Sequence, residues 1–168
     1  MKLAPLVALW NKLTGWADCL GVWIAPFGLR LLLAKEFWDS GVEKYNGQNW
    51  FADVMEKFPF PFNHVPVDIS WAMSTWFELI GAIALVVGLA TRFFSVSLFI
   101  LTIVAIAAVH WPEQWDTLSD LAKGYAVRDE GFGNFKLPLI YLVMFIPLIL
   151  QGPGRLSLDH WIKQRLAR

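Results

Sequence analysis

Cysteine is nearly missing from this chain: Cys19 is the only one in 168 residues. That excludes an intramolecular disulfide, a CxxC redox pair and a zinc cluster built on thiolates. Cys19 itself reads as a small buried apolar residue. Charge is also scarce. Asp, Glu, Lys and Arg make up 17% of the chain and the formal net charge is zero. Neutrality leaves no basic footprint for nucleic acid, and so few charges would not cover the surface of a soluble domain. There is no internal repeat, low-complexity tract or flexible linker. There is also no GxSxG, no phosphate-cradling glycine loop and no HExxH, so no catalytic residue is assigned. His64, His110 and His160 lack HxH or HxxxH spacing. His64 and His110 with one acid would suit a transition metal, but their spacing does not assign a metal site.

What the chain has in abundance is apolar length. Hydrophobic residues make up 57% and the mean hydropathy is +0.48. A membrane-spanning helix needs about 20 mostly apolar residues. Four runs qualify or nearly do, at about residues 20–38, 70–90, 93–109 and 136–151. The expected fold is all-α, an integral membrane four-helix bundle in a single domain over residues 1–168. Leu3, Leu6, Val7, Trp10 and Leu13 recur at helical spacing and predict a short amphipathic helix in the interface ahead of the first span. The stretch RLSLDHWIKQRLAR predicts a short amphipathic tail helix whose basic residues can meet anionic head groups.

Four spans put both termini on the side of the Arg92 turn. Lys2, Lys12, Arg92, Arg155, Lys163, Arg165 and Arg168 fall there, against Lys44, Lys57, Lys123, Arg128 and Lys136 in the opposite loops. The excess places both termini in the cytoplasm of an inner-membrane protein. Two tryptophan belts fit this topology: Trp38, Trp50, Trp71, Trp76, Trp111 and Trp115 at one face, and Trp10, Trp16, Trp23 and Trp161 at the other.

Glu78 is the unusual residue. It lies near the start of the second apolar run and shares a helix face with Gly81, Leu85 and Gly88. Small residues let membrane helices approach closely, so that face points into the bundle. With the first helix ending near Trp38, Arg30 falls at the depth of Glu78, and an ion pair would hold both inside. His110 closes the third helix near that level, and Lys35, Glu36, Asp39, Glu43 and Lys44 continue the first helix toward the same mouth. Two readings stand. In one, Glu78 and Arg30 form a structural lock. In the other, Arg30, Glu78, His110, Lys35 and Asp39 belong to a polar pocket for a quinone head group, a metal or a small solute.

RLLLAKEFWDSGVEKY, ELIGAIALVVGLATR, AAVHWPEQW and QGPGRLSLDHWI, in that order, resemble the DoxX family of small four-helix membrane proteins. The family takes its name from the small subunit of a thiosulfate:quinone oxidoreductase. The resemblance implies a membrane bundle and, for some members, redox or quinone-linked partners. One branch, HvfX-like, sits with the biosynthesis of copper-binding modified peptides, and the long aromatic first loop here is similar to it. The implied role is an accessory membrane protein beside a redox or metal-binding-peptide maturation partner. A subunit of a quinone-linked oxidoreductase and an exporter component are the alternatives. No cofactor is assigned, quinone being the one the resemblance suggests. The bilayer and either a protein partner or a second copy are the expected associates. The topology is directly testable: reporter fusions after Arg168 and within residues 45–65 should read out on opposite sides of the membrane, and the same side for both would refute it.

Overall fold

The computed structural model describes residues 3–168; Lys2, one of the cations counted for topology, lies outside them. Among the described residues the chain forms α-helices joined by turns, with no strand. The helices are α1 (Ala4–Asn46), α2 (Val67–Val87), α3 (Thr91–Ala105), α4 (Leu118–Lys123), α5 (Lys136–Leu150) and α6 (Leu158–Leu166). A π-type turn, Ile106–His110, prolongs α3. α1, α2 and the α3 extension are long and apolar enough to cross a membrane, and α5 is a shorter apolar helix. α1 packs on α2, α2 on α3, α3 on α5, and α5 closes back on α1.

The bundle is apolar outside and partly polar inside. Ile80, Ile83, Ile100, Ile103, Val143 and Ile146 are exposed, while Arg30, Ser74, Glu78, Thr91, Ser95 and Thr102 are buried. That inversion is what lipid demands: polar groups are costly against acyl chains and turn inward. Between them sits an apolar core of Leu33, Phe37, Leu85, Leu98, Phe145 and Leu148.

The expected N-terminal helix is not separate. It runs unbroken into the first span, giving α1 43 residues and a length of about 65 Å, twice the hydrocarbon thickness of about 30 Å. Nothing between them stops the helix. Pro5 sits in the first turn, where its missing N–H is no loss. Pro26 lies inside the helix and frees the carbonyl of Val22, but the Arg155 backbone N–H takes that carbonyl at 3.2 Å. The expected tryptophan belt on this side does not form one ring, because Trp10 and Trp23 are separated by about 20 Å of helix. Cys19 is exposed rather than buried, on this same protruding stretch.

The stretch QGPGRLSLD closes the tail end of the bundle. Gly88 caps α2 in the left-handed conformation (φ 70°), and its carbonyl accepts from the Asp159 N–H at 2.9 Å. The Asp159 carboxylate turns to the start of α3 and accepts from the N–H groups of Ala90 (2.7 Å) and Thr91 (2.9 Å). Gly154, also left-handed (φ 77°), lies against Pro26, where a β-carbon would stand 2.9 Å from the proline ring.

Gly81 faces α3, and a β-carbon there would meet Leu98 at 3.0 Å. Gly88 is intolerant for a different reason than helix packing: its backbone is left-handed and its hydrogens face Arg30 and Ser157. Gly81→Leu is therefore expected to destabilise by about 1–3 kcal/mol through overpacking, and Gly88→Leu by at least as much. Val86→Leu, on the exposed face, should stay within about 0.5 kcal/mol. Thermal unfolding in detergent checks this, and equal shifts at all three positions would contradict the assigned faces.

Candidate functional site

The other end of the bundle carries the two long loops and a cavity of about 750 Å³. Its walls come from the last turns of α1, the first half of α2, the end of α3 and the start of α5. Residues 47–66 fold over it as short 3₁₀ turns, Phe51–Asp53, Met55–Lys57 and Phe62–His64. Prolines keep this loop from forming a regular helix, so its aromatic side chains do the anchoring. Phe51 and Phe58 are buried against Ala108, Val104 and Trp71. Phe51 meets Trp71 edge-on at 5.0 Å and Phe58 at 5.3 Å. Lys57 and Glu113 (2.6 Å) tie this loop to the one after α3. Glu113 is held below the usual carboxylate range, chiefly by its hydrogen bond to Lys57.

Glu78 lies in the cavity wall, 2% exposed, and its partner is Lys44, not Arg30. The Lys44 ammonium donates to both carboxylate oxygens, at 3.0 and 2.9 Å, and to the Ser40 hydroxyl at 2.8 Å. Arg30 sits at the opposite end, fully buried. Its Nη1 donates to the Leu85 carbonyl at 3.1 Å and its Nη2 to the Leu156 carbonyl. The physical reason lies in the register of two antiparallel helices. α1 continues past Trp38 to Asn46, about two turns and 12 Å further than expected. That slides Gly41 opposite Glu78 and Leu79, and Arg30 opposite Gly88.

The other candidates divide. His110 lines the cavity. Its Nδ1 is engaged by the Asn134 side chain at 2.7 Å and its carbonyl by the Asn134 N–H at 3.0 Å, which leaves Nε2 for a ligand. Lys35 and Asp39 pair with each other on the exposed surface and do not line the cavity. The acids at i, i+3 and i+7 on this helix end, Glu36, Asp39 and Glu43, divide with them: Glu36 and Glu43 line the cavity, and Glu36 accepts from the Tyr141 hydroxyl at 2.6 Å. Among the described residues no three His, Cys, Asp or Glu side chains gather as a metal would require.

Sequence reasoning missed Lys44, Tyr141 and Ser74 as cavity residues. A signal for Lys44 was present. Arg30, Leu33, Ala34, Phe37 and Gly41 are the buried residues of α1, and Lys44 continues that stripe at helical spacing, whereas Lys35 and Asp39 fall off it. Ser74 carried the same signal, lying four residues before Glu78 on the buried face of α2. It is buried in the cavity wall and its hydroxyl has no partner among the described residues.

The DoxX family profile matches residues 25–111, the stretch from the second half of α1 through α3 that builds most of the cavity wall. The chain belongs to the DoxX family. It is 46% identical over 151 residues to an uncharacterized protein of Haemophilus influenzae, an alignment covering 88% of this chain and 91% of that relative. No solved structure gives a significant match. The family and the apolar helices make this a membrane protein, and what a DoxX protein with this cavity can do is set by the cavity's chemistry. Its walls are mostly apolar and aromatic, with an ion pair, two more carboxylates, a phenol and an imidazole among the lining groups.

Removing one partner strands the other charge at depth. Glu78→Ala and Lys44→Ala should each cost about 3–5 kcal/mol, while Glu78→Met with Lys44→Met should regain most of it. A double-mutant cycle should give strong coupling for Glu78 with Lys44 and additive effects within about 0.5 kcal/mol for Glu78 with Arg30. Coupling to Arg30 instead would mean that the register is wrong.

Proposed function

We propose that this DoxX protein is an accessory membrane subunit that holds a quinone-type molecule in the loop-end cavity, beside a partner that carries out the chemistry. One observation carries the reading: a cavity of about 750 Å³, walled by aromatics and with room for a quinone head group and the start of its tail, is also lined by the Lys44–Glu78 pair, Tyr141–Glu36 and His110. Binding sites for such molecules combine an apolar enclosure with a few placed polar groups. A quinone carbonyl accepts from the unpartnered Ser74 hydroxyl, and a quinol hydroxyl donates to Glu43 or to the Nε2 of His110. A lone cysteine supplies no dithiol, so electrons must come from or go to the partner. Family resemblance favours a redox enzyme or a system maturing metal-binding peptides as that partner, with the loops on the outer side of an inner membrane and both termini in the cytoplasm. The whole chain then acts as one membrane domain.

The test is binding. Protein purified from native membranes in mild detergent should yield quinone on organic extraction. A short-tailed ubiquinone analogue should quench tryptophan fluorescence through Trp50 and Trp71, which line the cavity. Ser74→Leu fills the cavity without stranding a charge and should weaken quenching by about tenfold, roughly the cost of displacing a buried ligand group, with unfolding temperature maintained. No quinone in the extract and quenching that is indifferent to Ser74→Leu would refute the reading.

A further inference from the structure

A second cavity, about 590 Å³, opens at the tail end between α1, the start of α3, the end of α5 and α6. One wall is apolar: Val22, Ala25, Pro26 and Leu29 of α1, with Phe93 and Pro147 across from them. The other wall is basic, with Arg92, Arg155 and Lys163. None of these three cations has a carboxylate within ion-pair distance among the described residues. The Arg155 guanidinium is held over the Trp23 ring at 5.6 Å, and Arg92 keeps one donor on the Leu150 carbonyl at 3.1 Å. The one carboxylate in the wall, Asp159, is committed to the N–H groups of Ala90 and Thr91. Thr91 also lines the cavity, fully buried, and its hydroxyl has no partner among the described residues.

Three unpaired cations and an unpartnered buried hydroxyl gather where an apolar groove meets the end of the bundle. We infer that this cavity is a binding site for the phosphate head group of an anionic phospholipid, with an acyl chain lying along the α1 groove. The shape distinguishes it from a surface that merely attracts anions. The cations converge on one recess, and the same recess continues into apolar wall that a free phosphate would leave uncovered. Basic pockets between membrane helices hold anionic head groups through just this combination. The site is at the opposite end from the quinone cavity and does not depend on it.

Native mass spectrometry of the detergent-purified full chain tests the site. It is titrated with dioleoyl phosphatidylglycerol, with dioleoyl phosphatidylcholine, or with inorganic phosphate as competitor. One phosphatidylglycerol should bind well ahead of phosphatidylcholine. Arg155→Gln or Lys163→Gln should weaken it about fivefold each, and the pair about twentyfold. Arg168→Gln, which removes the same charge outside the cavity, should leave it unchanged. Ala25→Trp, on an exposed position of the groove, should also weaken it while the unfolding temperature is kept. Equal binding of both lipids, or equal losses for Arg168→Gln and Arg155→Gln, would overturn the inference. Displacement of phosphatidylglycerol by millimolar phosphate, with Ala25→Trp silent, would overturn the lipid assignment in favour of a soluble anion.

Discussion

The tail end of the bundle depends on how unpaired helix ends are satisfied inside a membrane. A helix leaves carbonyls unpaired at its C-terminus and N–H groups unpaired at its N-terminus, and lipid offers neither a partner. The short turn between α2 and α3 brings one end of each kind side by side. Arg30 supplies the cation for the first, donating to the Leu85 carbonyl and onward to Leu156. Asp159 supplies the anion for the second, accepting from Ala90 and Thr91. Each charge meets the helix end of opposite polarity. The C-terminal stretch is thus a structural plug, which explains why a buried arginine persists in a helix so apolar.

The same plug permits the length of α1. Pro26 would otherwise leave the Val22 carbonyl without a partner, and Arg155 contributes the missing N–H. Fixing α1 at Gly88 and Pro26 also fixes its register on α2. That register carries Lys44 to Glu78, about 20 Å along the helix from Arg30, so the polar floor of the loop-end cavity is positioned from the far end of the molecule. The two cavities sit at the two ends of one rigid interface. At one end the buried charges pair with each other; at the other they pair with backbone, leaving the neighbouring surface cations without partners.

Much of this was legible in the sequence. The apolar runs gave the class and the four long helices α1, α2, α3 and α5, because lipid accepts only long apolar segments with their backbone satisfied. The Gly81 face and the inward turn of Glu78 followed from helical spacing, since a residue's face is set by its phase alone. The tail helix was legible from its apolar spacing and charge. The partner of Glu78 was not, because pairing depends on where a helix ends, and Trp38 marked that end about two turns too early. The buried stripe running on to Gly41 and Lys44 was the better guide, since burial phase does not depend on where the interface lies.

What the sequence alone determined, then, is what each residue must avoid: Glu78 and Arg30 avoid lipid, Pro26 avoids the middle of an isolated helix, and isoleucine and valine avoid water. What the tertiary structure decided is which group relieves each of them. Lys44, the Leu85 and Leu156 carbonyls, and the Arg155 N–H lie 34, 55, 126 and more residues away in the chain from the groups they serve. Local preference sets a residue's face and its cost. Only the register between helices, a property of two surfaces packed together, sets its partner.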